Sequence, residues 1–121
     1  MTPRERILAT IQHQQPDRVP VDCGATPSSN ISAIAYNNLK EYLGIAKSAP
    51  PTKIYDIVQQ QVQPDDWFIE RFGIDVLDIG RVFNSADNDW KDAEGYSCRT
   101  QYPAWFDYVT KADGTVEAYD R

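Results

Sequence analysis

The side chains that could do chemistry are few and scattered: His13, Cys23 and Cys98, with carboxylates spread along the chain. One histidine excludes a multi-histidine metal site within the chain. A Cys–His nucleophile would need Cys23 or Cys98 brought against His13, so that the imidazole could take the thiol proton, and no spacing positions that pair. None of the glycine-rich phosphate loops, the H-E-x-x-H helix or the G-x-S-x-G elbow occurs. Asp87, Asp89, Asp92 and Glu94 raise the question of calcium, but an EF-hand loop needs glycine at its sixth place and glutamate at its twelfth. They read as a solvated acidic loop. In a barrel or open sheet of parallel strands, the functional positions are the carboxyl ends of the strands. Those are Asp22, Cys23 and Gly24 after the first expected strand, and Asp78, Gly80 and Arg81 after a later one. Pocket lining is one reading of these six; loop capping and turn geometry account for them as well.

The elements that must position them can be read from caps, prolines and periodicity. Thr2, Pro3 and Glu5 announce a helix with a capping box, with Ile7, Leu8 and Ile11 as its apolar face and Arg4, Glu5 and Gln12 turned elsewhere. His13 reads as a solvated side chain near its C-terminal end. Pro16 ends the helix segment, and Val19-Pro20-Val21 is expected as a short strand at an edge, because Pro20 lacks a donor. After a loop from Cys23, Ser29 or Asn30 is expected to cap a second helix. Its apolar positions would be Ile31, Ile34, Ala35, Leu39, Tyr42 and Leu43, and Gly44 closes it. Ile54 to Val58 suits either a strand or a helix. Pro64, Asp65 and Asp66 start a third helix, with Trp67, Phe68, Ile69 and Phe72 on its apolar side and Gly73 at its end. Ile74 to Ile79 reads as a buried strand with Asp75 and Asp78 on opposite faces, one at a solvent-facing end and the other capping or paired locally. Asn84 to Gly95 reads as a surface loop pinned by Trp90. Asp113-Gly114 predicts a hairpin between 105–111 and 115–119, with Tyr102, Trp105, Phe106, Tyr108 and Tyr119 in cross-strand contact.

Length and composition bound the rest. The chain has 121 residues, one domain's worth, with 41% hydrophobic and 25% charged residues. A net charge of −6 without a basic cluster argues against a nucleic-acid partner. No apolar run approaches the ~20 residues of a membrane span, and no signal peptide opens the chain. Cys23 and Cys98, with no CxxC spacing, read as two thiols of a cytoplasmic chain rather than a structural disulfide.

The wording and order of several segments resemble the N-terminal part of the uroporphyrinogen decarboxylase superfamily. The segments are 2–9 (TPRERILA), 16–22 (PDRVPVD), 31–36 (ISAIAY), 39–44 (LKEYLG), 54–60 (IYDIVQQ) and 71–76 (RFGIDV). The resemblance covers residues 1 to about 80. It implies an α/β fold: the N-terminal portion of a (β/α)8 TIM barrel, with N-terminal helices and an antiparallel β-hairpin insertion. Residues 1–82 would hold the helices and first barrel strands, and 83–121 the polar loop and aromatic hairpin. Such barrels run to ~250 residues, so this chain would be their opening third, catalytically incomplete alone and prone to self-association through uncovered apolar surface.

Decarboxylases of the family carry two carboxylate-binding arginines after the first strand; counted without gaps from Pro20, those positions are Ala25 and Ser29 here. A catalytic aspartate is expected seven residues beyond Asp75, where Val82 stands. The other branch, corrinoid-dependent methyltransferases, has no such requirement in this region. Its resemblance implies zinc held by His and Cys of later barrel strands, and a small molecule or corrinoid protein as substrate. No cofactor is expected on residues 1–121 themselves. Two alternatives remain: a stand-alone α+β binding or assembly module, and a true decarboxylase of tetrapyrrole synthesis.

Overall fold

The Thr2 hydroxyl accepts the Glu5 N–H at 3.2 Å, and the Glu5 carboxylate accepts the Thr2 N–H at 2.7 Å. This reciprocal cap starts helix α1 (Pro3–Ile11) in the computed structural model, which describes residues 1–78 and 90–119. Ile79, Gly80, Arg81, Val82, Asp87 and Asp89 lie outside the described residues.

The expected apolar face of α1 is corrected. Arg6 and Ala9 are the buried positions, whereas Leu8 is exposed and Ile11 is 67% exposed. The Arg6 guanidinium is tied to Asp17 and Asp75, and these ion pairs set which side of so short a helix turns inward. His13 stands exposed beyond the helix end with φ 57°.

Helix α2 (Ala33–Tyr42) is capped by Ser32, not by Ser29 or Asn30. Ser29 ends a 3-10 turn (Pro27–Ser29) instead, while Asn30 donates to the Val62 carbonyl at 2.7 Å. The inward stripe is Ala33, Tyr36, Asn37 and Lys40, a helical period as expected but on nearly the opposite face of the helix. Ile34 and Tyr42 point outward, 67% and 88% exposed. Polar partners on the sheet decide this phase: Asn37 and Lys40 bond to Thr52 and Thr100. Gly44 adopts φ 70°, the left-handed close that was expected.

Ile54 lies in a strand, β1 (Thr52–Asp56). β1 pairs antiparallel with β2 (Gln61–Val62) and parallel with β4 (Thr100–Pro103), which pairs antiparallel with β3 (Trp90–Ala93). The order is β2-β1-β4-β3. Trp90, expected to pin a loop, opens β3 and lies under the Lys53 ammonium, 5.1 Å from the ring centroid. Asp65 precedes helix α3 (Asp66–Phe72), and Gly73 ends it with φ 60°, both as expected.

Two expected strands are not found. Val19-Pro20-Val21 and Ile74–Asp78 join no sheet ladder among the described residues. They nevertheless lie together: the Asp75 N–H donates to the Val21 carbonyl at 2.8 Å, and the Val21 N–H to the Asp75 carboxylate at 2.9 Å. Pro20 has no N–H, and the Asp75 side chain takes the Val21 N–H, so regular pairing stops there.

The hairpin forms around Asp113-Gly114, but with shorter strands than expected: β5 (Tyr108–Thr110) pairs with β6 (Val116–Ala118), and Gly114 in the connecting turn has φ 84°. Its aromatic contacts differ from those expected. Tyr108 faces Ala118 in the register, while Phe106 and Tyr108 fold back onto Tyr102 of β4, with centroids at 4.9 and 5.2 Å, and Tyr119 is exposed. Ala33, Tyr36, Ile54, Val62, Phe68, Ile74, Tyr102 and Phe106 form the apolar core between helices and sheet. The architecture is mixed α/β, and among the described residues neither sheet closes on itself. No helix among the described residues is long and apolar enough to cross a membrane.

Candidate functional site

Asp22 Oδ1 accepts the Ala25 N–H and the Ser29 hydroxyl, both at 3.0 Å. Gly24 has φ 112° and donates its N–H to the Ser29 carbonyl at 3.1 Å. Turn geometry therefore accounts for Asp22 and Gly24 and for Ser29 as their anchor. Cys23 is half-buried and packs against the apolar core. Asp78 is half-buried just before residue 79; Gly80 and Arg81 fall outside the described residues. The Cys98 thiol is buried and donates to the Asn37 carbonyl at 3.6 Å. Neither cysteine is in a disulfide, and His13 is exposed at the end of α1. Thiol and imidazole are not assembled into a nucleophilic pair.

A polar cluster that the sequence reading missed joins three segments. Arg6 donates to Asp17 through Nε at 2.6 Å and Nη2 at 2.9 Å, and to Asp75 Oδ1 through Nη1 at 2.5 Å. Arg18 grips Asp75 with both terminal nitrogens, at 2.7 and 3.0 Å, and donates to the Gly73 carbonyl at 2.9 Å. Asp75 Oδ1 thus accepts from both arginines, and Oδ2 accepts from Arg18 and the Val21 N–H. All its lone-pair positions are filled, so it holds structure and offers no base to a substrate. Burial pushes the Asp75 carboxyl up, but the Val21 amide and the two guanidinium groups outweigh it and hold it below the usual range. Asp17 is lowered still further, chiefly by its hydrogen bonds from Arg6. One of Asp75 and Asp78 was expected to face solvent and the other to cap or pair locally; Asp75 instead pairs with Arg6 and Arg18, far off in sequence. Its only sequence signal was that all four residues sit inside the segments carrying the family resemblance.

A second polar row lies beneath α2. Lys40, 1% exposed, donates to the Pro50 carbonyl at 2.7 Å and Thr52 Oγ1 at 2.9 Å, with its ammonium 4.9 Å above the Tyr36 ring. Thr52 donates to Asn37 Oδ1 at 2.6 Å, and Asn37 Nδ2 to Thr100 Oγ1 at 2.9 Å. At the other end Asp65 Oδ2 lies 3.7 Å from Lys40 and accepts the Tyr36 hydroxyl at 3.0 Å and the Trp67 indole N–H at 3.2 Å. Burial pulls Lys40 below its usual value and pushes Asp65 above its own. Perturbed buried pairs of this kind occur at catalytic sites and in structural networks alike. Every member here already has a partner, which marks the row as structural. Its signal was the alignment of Lys40 with Ala33 and Tyr36 at helical spacing.

An open groove of about 390 Å³ runs between α1 and the 75–77 segment, lined by Pro3, Arg4, Ile7, Leu8, Val76 and Leu77 beside Asp75. Among the described residues no three His, Cys, Asp or Glu side chains converge as metal ligands. Comparisons of the chain with profiles of protein families, with curated proteins and with solved structures gave no match.

Proposed function

We propose that this chain is the N-terminal part of a uroporphyrinogen decarboxylase-like barrel enzyme, on the corrinoid-dependent methyltransferase side of that superfamily. The observation that carries the reading is the meeting of its motif segments. Arg6 from 2–9, Asp17 and Arg18 from 16–22, and Asp75 from 71–76 close on one another in a single cluster. The two segments also lie side by side: Arg18 reaches Gly73 and Asp75, and Val21 meets Asp75. Adjacent placement of these two segments is what neighbouring first strands of a parallel barrel require. In the full enzyme, later barrel strands would supply zinc ligands, and zinc would make a bound thiol the thiolate that methyl transfer needs. The donors of this chain do not fit that metal: Cys98 is turned to a backbone carbonyl and His13 is exposed at the end of a helix. In this reading the protein works in the cytoplasm on a small molecule or a corrinoid protein, and Arg6, Arg18 and Asp75 hold the scaffold rather than the reactants. Ala25 and Ser29, where decarboxylases carry arginines, disfavour the decarboxylase branch.

Two measurements test it. The coding sequence downstream of Arg121 should continue into strands bearing His and Cys, and the purified 121-residue chain should show no methyl transfer from a methylcorrinoid. A stop codon at that point, or turnover by the chain alone, would overturn the reading. A stand-alone binding or assembly module is the second reading. It is favoured by the mixed β2-β1-β4-β3 sheet, which covers its own core without needing barrel neighbours.

A further inference from the structure

Lys40 carries three ammonium hydrogens and faces three acceptors. Pro50 O and Thr52 Oγ1 lie within hydrogen-bond range, and both belong to the stretch that enters and forms β1. The third, Asp65 Oδ2, belongs to the residue at the N-cap position of α3, whose side chain accepts from the Tyr36 hydroxyl and the Trp67 indole rather than from the helix backbone. At 3.7 Å it is held to Lys40 by charge rather than by a short hydrogen bond. Thr52 directs its own hydroxyl hydrogen at Asn37 Oδ1, so towards Lys40 it can only accept. A neutral amine has two hydrogens, enough for Pro50 and Thr52 and no more. Its lone pair would then face the carboxylate. Loss of one proton therefore removes one link of three, and always the same one.

We propose that Lys40 is a proton-operated latch on α3: charged, it clamps the Asp65 side chain at the start of that helix, and neutral, it keeps α2 bonded to β1 while letting the first turn of α3 loosen. This goes beyond the proposed function and holds whichever parent the chain belongs to. The groups facing the latch are known on every side. Asp65 comes from α3, the Tyr36 ring from α2 and the Cys98 thiol from the connection before β4, while Lys53 of β1 acts on Asp65. Burial holds the Tyr36 hydroxyl well above its usual range, so it stays a donor to Asp65 throughout. Asp65 favours the charged form of Lys40. While α2 and β1 keep Lys40 buried, opening α3 removes that help and leaves the burial in place, so protonation favours the closed state and rising pH the open one. Because burial sets Lys40 below 10.5, release precedes the titration of an ordinary lysine.

The test follows the full chain by NMR from pH 7 upward, reading the Lys40 side chain directly together with amide protection and the Trp67 indole N–H, the latter assigned with Trp67→Phe. Protection of residues 66–69 should fall about tenfold or more in step with Lys40, tenfold being the equivalent of one pKa unit. Amides of α2 and β1 should hold. In Lys40→Met the Trp67 signal should stay flat, and in Cys98→Ser the transition should persist. Should Lys40→Met not fold, Asp65→Asn serves instead, with Lys40 still titrating and α3 no longer responding. The latch is overturned if Lys40 titrates while Trp67 and residues 66–69 stay still. It is equally overturned if α2 loosens together with α3, or if either variant keeps the wild-type transition.

Discussion

Asp75 and Lys40 are ionisable side chains withdrawn from water, and each is held by more than one partner. Removing one member of a buried ion pair strands the other, at a cost of about 3–5 kcal/mol. Lys40→Met should cost that much in urea denaturation, and adding Asp65→Asn should recover most of it, since a buried pair replaced as a unit is often neutral. Equal stability of the single and double variants would contradict this coupling. Asp75→Ala should likewise destabilise by about 3 kcal/mol, and Asp75→Asn by less, because it keeps the shape and the Val21 contact. The acid limb follows from the same cluster. Asp17 and Asp75 are depressed below the ordinary 3.8, so their stabilisation is complete above that value and lost as pH falls through their folded values. Denaturation midpoints measured from pH 5 downward should therefore fall, and less steeply in Asp75→Asn. In global unfolding Lys40 and Asp65 run opposite to each other. Lys40 is lowered from 10.5, so its burial cost is relieved as pH climbs towards that value. Asp65 is raised from 3.8, so its protonated form favours the fold and that support is lost as pH rises through its folded value.

At the scale of elements, Gly44 and Gly73 both close helices in the left-handed region, but their surroundings differ. A Cβ at Gly44 would meet open space, whereas at Gly73 it would come 3.2 Å from Arg18 Nη2. Gly44→Ala should cost only the backbone strain, about 1–2 kcal/mol. Gly73→Ala should cost more, because it also pushes on the guanidinium that binds Asp75. Thermal melts of the two variants give the comparison, and equal shifts would show that Arg18 yields freely. The strand expected at 19–21 has a related explanation. Its proline and its side-chain contacts to Asp75 leave extended chain without a ladder.

For the molecule as a whole, the apolar surface left outside the core is the notable feature. Leu8 and Leu77 beside the α1 groove are exposed, the latter by 60%, and Ile11 lies on the same helix. Self-association through this face is the expected outcome, seen as a mass that rises with concentration in light scattering. Burying one leucine is worth about 1.5–3 kcal/mol, so Leu77→Asp should weaken association by roughly ten- to hundredfold. A monomer at high concentration in the unsubstituted chain would refute it. Most helix starts and stops were legible in the sequence because a cap, a proline at the first turn or a left-handed glycine acts within a few residues: Thr2 with Glu5, Asp65, Gly44, Gly73, and the Asp113-Gly114 turn. The start of α2 was misplaced because Ser29 and Asn30 bond to Asp22 and Val62 instead. Which way each helix faced was not legible. Periodicity counts Ile34 and Tyr42 as core candidates, but the inward stripe of α2 was chosen by Thr52 and Thr100, and that of α1 by Asp17 and Asp75. Those partners arrive through contacts distant in sequence. The polar clusters and the parallel joining of β1 to β4 were therefore decided only when the tertiary structure brought oppositely charged and hydrogen-bonding groups out of water together.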